Sequence, residues 1–185
     1  MAGFLRIFSK SHRAARKSGD RILKAVIAQA RQPVFYERGG VADTVTGRFD
    51  LLAVHAFLVM RAARHDKGLA DINQAFLDGL FALIDSSYRE AGISDPGIPR
   101  KMKQAAEAFY GRLSAYEKAL SEGGLQGLEE ALTRNLYRGE AGGEGTATAM
   151  ARYLIGSLGT LALMDHGDWE KGALRFAAPA FGAVQ

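Results

Sequence analysis

The stretch Gly39-Gly-Val-Ala-Asp-Thr-Val-Thr-Gly-Arg-Phe-Asp-Leu-Leu-Ala-Val-His-Ala-Phe-Leu-Val-Met-Arg61 decides the fold. Phe49, Leu52, Ala53, Ala56, Phe57 and Met60 recur at helical spacing, while Leu51, Val54, Leu58 and Val59 cover the other faces. A helix without a polar face is buried on every side. The stretch therefore predicts the central helix of an all-α protein, entered by a polar loop, with His55 in its middle. Thr46 or Gly47 is the expected cap, Asp50 sits in the first turn where a carboxylate complements the helix dipole, and Arg61, Arg64 and Gly68 mark the end.

Outward from this helix the chain continues in helical periods. Residues 70–90 place Ile72, Phe76, Leu77, Leu80, Phe81, Ile84 and Tyr88 on one face, stopped by Gly92 and Pro96. Pro99 suits a first helical position. After it, Met102, Ala105, Ala106, Phe109, Tyr110, Leu113, Tyr116 and Leu120 form an apolar face opposite Arg100, Lys101, Lys103, Glu107, Arg112 and Lys118. Leu125, Leu128, Leu132 and Leu136 mark a shorter helix, and residues 146–165 a last long one. A short closing helix is expected around Trp169, Leu174 and Phe176. Together these predict one compact helical domain of about six to eight helices. Residues 1–31 form a basic arm with the first helices, and 32–185 form the body.

The chain has 185 residues, no cysteine and a net charge of +4. Disulfides, thiol nucleophiles and cysteine-bound zinc are excluded. Residues 1–31 hold eight Lys or Arg against one acid, so the positive charge belongs to this arm while the remainder is net negative. Arg6, Lys10, Arg13 and Lys17 fall on one helical stripe, away from Phe4, Leu5 and Phe8. That pattern suits a membrane or ribosome surface, RNA or an acidic partner; a solvated basic tail and a transit-like leader are the other readings. Ser18-Gly19 is expected to end this segment before a second helix. No apolar run follows that would make a secretory signal. The clean apolar run Tyr153–Met164 is shorter than the roughly 20 residues a bilayer needs.

Chemistry finds little support. Gly139–Thr146 is glycine-rich before a helix, but it lacks the Lys-Ser/Thr of a phosphate loop and carries Glu140 and Glu144. Asp165-His166-Gly-Asp168 and His65-Asp66 lack metal-ligand spacing and read as helix-end clusters. His55 reads as a core histidine hydrogen-bonded to a carbonyl or carboxylate, since no nucleophile is arranged with it. As a haem ligand it would lack a second axial residue, because Met60 lies off its face. No metal and no cofactor is expected.

Four blocks carry a resemblance: Ala28–Tyr36, Gly40–Arg61, Gly97–Arg112 and Leu132–Tyr137. In this order, within about residues 20–165, they resemble the ubiquinol–cytochrome c chaperone family, in a bacterial-length form. The resemblance implies an all-helical assembly factor, not an enzyme, that helps newly made cytochrome b mature into the quinol–cytochrome c oxidoreductase. Mitochondrial relatives work with a small helper protein near the ribosomal tunnel exit. It also implies a peripheral place at the inner face of the cytoplasmic membrane, or the matrix side in an organelle. Charged positions within the blocks that the core does not explain, Asp43, Arg48, Arg100, Lys101 and Lys103, are the expected partner contacts. A basic nucleic-acid-binding module is the rival reading, although DNA is not an expected partner. It calls for stacking aromatics among basic positions, whereas the aromatics of the C-terminal half fall on apolar faces.

Overall fold

The computed structural model describes residues 2–138 and 145–182, with the side chains of the first helix from His12 onward. Among the described residues there are seven α-helices and no strand: α1 (Ala2–Ala30), α2 (Val34–Glu37), α3 (Val45–Ala63), α4 (Ala70–Glu90), α5 (Ile98–Asn135), α6 (Thr146–Ala162) and α7 (His166–Lys171). The protein is all-α, as its periodicities predict. Two compact units form, each from separate stretches of chain: Met1–Ala25, Ala63–Glu107 and Met164–Leu174 in the first, and Val26–Ala62, Ala108–Leu163 and Arg175–Gln185 in the second.

In the first unit Ile22, Leu69, Phe76, Leu80 and Trp169 are buried. The expected break at Ser18-Gly19 does not occur, because α1 runs straight through it. A Cβ on Gly19 would lie 2.6 Å from the Phe76 nitrogen, so the glycine marks where the α4 backbone closes on α1. Packing overrides its poor helix propensity, about 1 kcal/mol against alanine. Ala15 and Ser18 are buried, so this part of the arm belongs to the core and is not purely a surface appendage. Gly68 does not close the central helix. It lies in a 3-10 turn, Lys67–Leu69, whose start is capped by Asp66 accepting from the Gly68 amide at 2.8 Å.

In the second unit α3 is buried nearly all round, with Leu51, Val54, Ala56, Leu58 and Val59 almost wholly enclosed. Its cap is Thr44 rather than Thr46 or Gly47: Thr44 Oγ1 accepts from the Gly47 amide at 3.1 Å. Gly47 is needed because a Cβ there would lie 2.0 Å from the Ala42 carbonyl oxygen. The two helices expected over 99–136 are joined as α5 and separated by a kink at Gly124, whose φ of 55° and ψ of −132° suit only glycine. Phe109, Tyr116, Leu128 and Leu132 are buried. Tyr110 and Leu125, expected inside, are 46% and 36% exposed. The stretch 139–144, expected as a tethering loop, lies outside the described residues.

Candidate functional site

Two polar clusters lie inside the second unit. The first centres on Asp50, in the first turns of α3 and fully buried. Arg112 Nη2 of α5 lies 2.6 Å from Asp50 Oδ1, and Arg138 Nη2 donates to Oδ2 at 2.9 Å. Arg112 also donates to the Ala108 carbonyl at 2.9 Å and stands 5.6 Å from the centre of the Phe49 ring. Burial pushes the Asp50 carboxyl up, against the pull of both guanidinium groups. The cluster is an ion triad held by geometry rather than a titrating base. In the sequence Arg112 read as part of a solvated face; in the fold its side chain is only 15% exposed. Neither Asp50 nor Arg112 has a sequence spacing that reveals the pairing, which joins elements far apart in the chain.

The second cluster contains His55. Its Nδ1 lies 2.9 Å from the Leu51 carbonyl oxygen, which only accepts, so Nδ1 carries the proton. Nε2 then accepts from the Tyr153 hydroxyl at 2.8 Å, and that oxygen accepts from Gln29 Nε2 at 3.0 Å. Burial lowers the histidine to about 4, opposed by the Leu51 hydrogen bond. Burial likewise raises Tyr153 to about 12, opposed by hydrogen bonds from Gln29 and Ser157. Both ring nitrogens have structural partners, in keeping with a core histidine.

The predicted contact residues fall as follows. Asp43 and Arg48 are brought together in the second unit, Arg48 Nε donating to Asp43 Oδ1 at 2.6 Å with both side chains exposed. This hydrogen bond holds the Asp43 carboxyl below its ordinary range. Arg100, Lys101 and Lys103 belong to the first unit, exposed in the opening turns of α5. Lys103 stands 3.9 Å from Glu107. Arg13 and Lys17 are exposed on α1, whereas the side chains of Phe4, Leu5, Arg6, Phe8 and Lys10 lie outside the described residues. Among the described residues no group of His, Asp and Glu could hold a metal, and no helix is long and apolar enough to cross a membrane. His166 and Asp66 meet at 2.6 Å, while Asp165 accepts from the Asp168 amide at 2.8 Å and so caps α7.

The family model described as Ubiquinol-cytochrome C chaperone matches residues 37–176, which include Asp50, His55, Arg112, Arg138 and Tyr153. The chain belongs to the ubiquinol–cytochrome c chaperone family. The crystal structure of the Cbp3 homolog from Brucella abortus shares 32% sequence identity with this family member. It superposes with a TM-score of 0.80, over 95% of this chain and 97% of that one. The likeness thus extends beyond the matched segment to most of the chain. Comparison with curated proteins gives no match.

Proposed function

We propose that this chaperone-family member binds newly made cytochrome b, or an assembly intermediate containing it, and aids biogenesis of the quinol–cytochrome c oxidoreductase without turning over a substrate. Its family membership, over a match reaching from residue 37 to residue 176, is the observation that carries this reading. The satisfied His55 cluster and the triad at Asp50 support a non-catalytic role, because neither offers an oriented nucleophile.

On this reading Arg100, Lys101 and Lys103, with Asp43 and Arg48, contact the client or a small helper protein. The basic positions of α1, with Phe4, Leu5 and Phe8, address an anionic membrane or the ribosome, placing the protein peripherally at the inner face of the membrane. The experiment is a gene deletion read by the amount of assembled oxidoreductase, beside capture of cytochrome b on tagged protein with and without nuclease. Lowered oxidoreductase and nuclease-resistant capture are expected. Normal oxidoreductase in the deletion strain overturns the assignment, and capture abolished by nuclease favours a nucleic-acid partner.

A further inference from the structure

Residues 175–182 cross the second unit with neither helix nor strand, yet they are gripped along their length. Thr160 Oγ1 of α6 donates to the Arg175 carbonyl at 2.6 Å. Ser157 Oγ, one turn earlier, accepts from the Ala177 amide at 3.1 Å. Arg38 Nη2, after α2, donates to the Phe181 carbonyl at 2.6 Å. Between these anchors two aromatic rings point down: Phe176 meets His55 edge-on at 5.5 Å, and Phe181 meets Phe35 edge-on at 5.9 Å. The floor beneath them is Phe35, His55 and Tyr153, all buried.

Side chains that hold the main chain of a segment without secondary structure, while its own rings pack on a buried floor, reproduce how a protein recognises an extended peptide: main-chain hydrogen bonds give affinity and side-chain contacts give specificity. Two glycines make room for it. A Cβ on Gly39 would lie 2.9 Å from Phe181 Cζ, and one on Gly156 would lie 3.2 Å from Ala177 Cβ. Between its two rings the segment carries Ala177-Ala-Pro-Ala180, small residues that leave the rings as its main apolar anchors. A segment tied down by a few such contacts opens more readily than the helices below it.

We propose that this floor is a docking groove for an extended segment of a client polypeptide bearing two aromatic side chains about five residues apart, and that residues 175–182 fill it as an internal stand-in which the client displaces. The proposal rests on the chaperone reading for the source of the peptide. The strap itself supplies the chemistry of the occupant: an aromatic residue, four small residues and a second aromatic. While the strap is seated the protein shields an aromatic surface that would otherwise invite association. When a client takes its place, one set of main-chain hydrogen bonds and ring contacts is exchanged for another.

The test uses the full chain, which contains no cysteine. Gly156→Cys with Ala177→Cys places two thiols where the Cβ separation of 3.2 Å lies within a few tenths of an ångström of the disulfide range. The probe is a labelled peptide copying residues 173–182, beside a control in which both phenylalanines are alanine. Reduced protein is expected to capture the aromatic peptide at least tenfold better than the oxidised, strap-locked form, and reducing agent should restore capture to the locked sample. Phe176→Ala, which removes one ring of the strap and leaves every groove residue in place, should raise capture in the otherwise unaltered chain. Equal capture by locked and reduced protein overturns the proposal, as does equal capture of the control peptide. Reduction that yields dimers instead of peptide capture shows that a second copy's strap is the occupant, and overturns client docking. No cytochrome b enters this assay, so its failure is separate from that of the proposed function, which is read from oxidoreductase levels.

Discussion

Arg138 holds its backbone at φ 55°, the positive-φ non-glycine position among the described residues, while its guanidinium reaches the fully buried Asp50 at 2.9 Å. A left-handed conformation at a residue with a Cβ costs of order 1 kcal/mol or more and persists where surrounding structure over-determines it. Arg112 secures the same carboxylate from the other side. Asp50→Asn leaves Arg112 part-buried without its counter-charge, and should cost about 3 kcal/mol, as breaking a buried pair does. Arg138→Gly should cost less, about 1 kcal/mol, since relief of the backbone offsets only part of the loss of the hydrogen bond to the buried carboxylate, which Arg112 still faces. Chemical denaturation of the two variants checks this; an Arg138→Gly loss as large as that of Asp50→Asn would make Arg138 the principal partner.

His55 predicts an acid-side loss of stability. Its folded value of about 4 lies below the ordinary 6.5, so between those values the unfolded chain binds the proton and the folded chain does not. Stability therefore rises with pH through this window and is lost as pH falls from about 6.5 toward 4, by up to about 3 kcal/mol. Measured unfolding free energies at pH 7 and pH 4.5 should differ more in the wild type than in His55→Gln. Identical pH profiles would show that the ring is solvated.

Phe57 is 3% exposed and stacks at a tilt on Tyr116, with ring centres 5.7 Å apart. Phe57→Ala should cost roughly 3–5 kcal/mol. That is a large share of the 5–15 kcal/mol typical of a folded domain. Thermal melts would reveal it, and a variant melting with the wild type would mean that α3 is not enclosed.

The helices and the enclosure of α3 were legible because burial on all sides leaves a run without polar residues, which needs no knowledge of neighbours. The core reading of His55 was legible for the same reason. Tyr110 and Leu125 misled, since a periodic pattern fixes the axis of a face but not how far a neighbour covers it. Gly19 misled in the other direction: a glycine placed for close helix approach looks the same in sequence as one placed to break a helix. The Asp50, Arg112 and Arg138 triad was not legible, because it joins residues up to 88 positions apart. The strap over Phe35 and His55 was equally hidden. Its hydrogen bonds use main-chain atoms of residues 175–181, which leave no trace in side-chain patterning.

The basic arm can be tested within what packing allows. Because Ala15 and Ser18 are buried, a cut after residue 17 would damage the first unit, so the deletion should end at residue 11. Removing residues 1–11 together with Arg13→Glu and Lys17→Glu, both exposed on α1, should leave the melting temperature within a few degrees. Binding to anionic vesicles or ribosomes should fall sharply, and raised salt should mimic the change by screening. Flotation with vesicles and sedimentation with ribosomes measure this; undiminished binding would remove the arm from the surface-seeking role.

Lys101 and Lys103 offer the most direct test of the proposed contact surface. Both are exposed at the start of α5, and the pairing of Lys103 with Glu107 at 3.9 Å is an exposed one worth little. Reversing both to Glu should therefore move stability by no more than about ±0.5 kcal/mol per site. If these positions meet an acidic partner surface, reversal turns attraction into repulsion, which lowers the association rate, most strongly at low salt. Capture of cytochrome b or of a helper protein should drop in the charge-reversed protein, while Asp43→Asn, which removes one charge from an exposed pair with Arg48 where the other variant reverses two, should alter capture less. The comparison is made by pull-down at two ionic strengths with circular dichroism as the folding control. A folded, charge-reversed protein that captures its client in full would remove this face alone, leaving the family assignment and the groove beneath residues 175–182 to stand on their own observations.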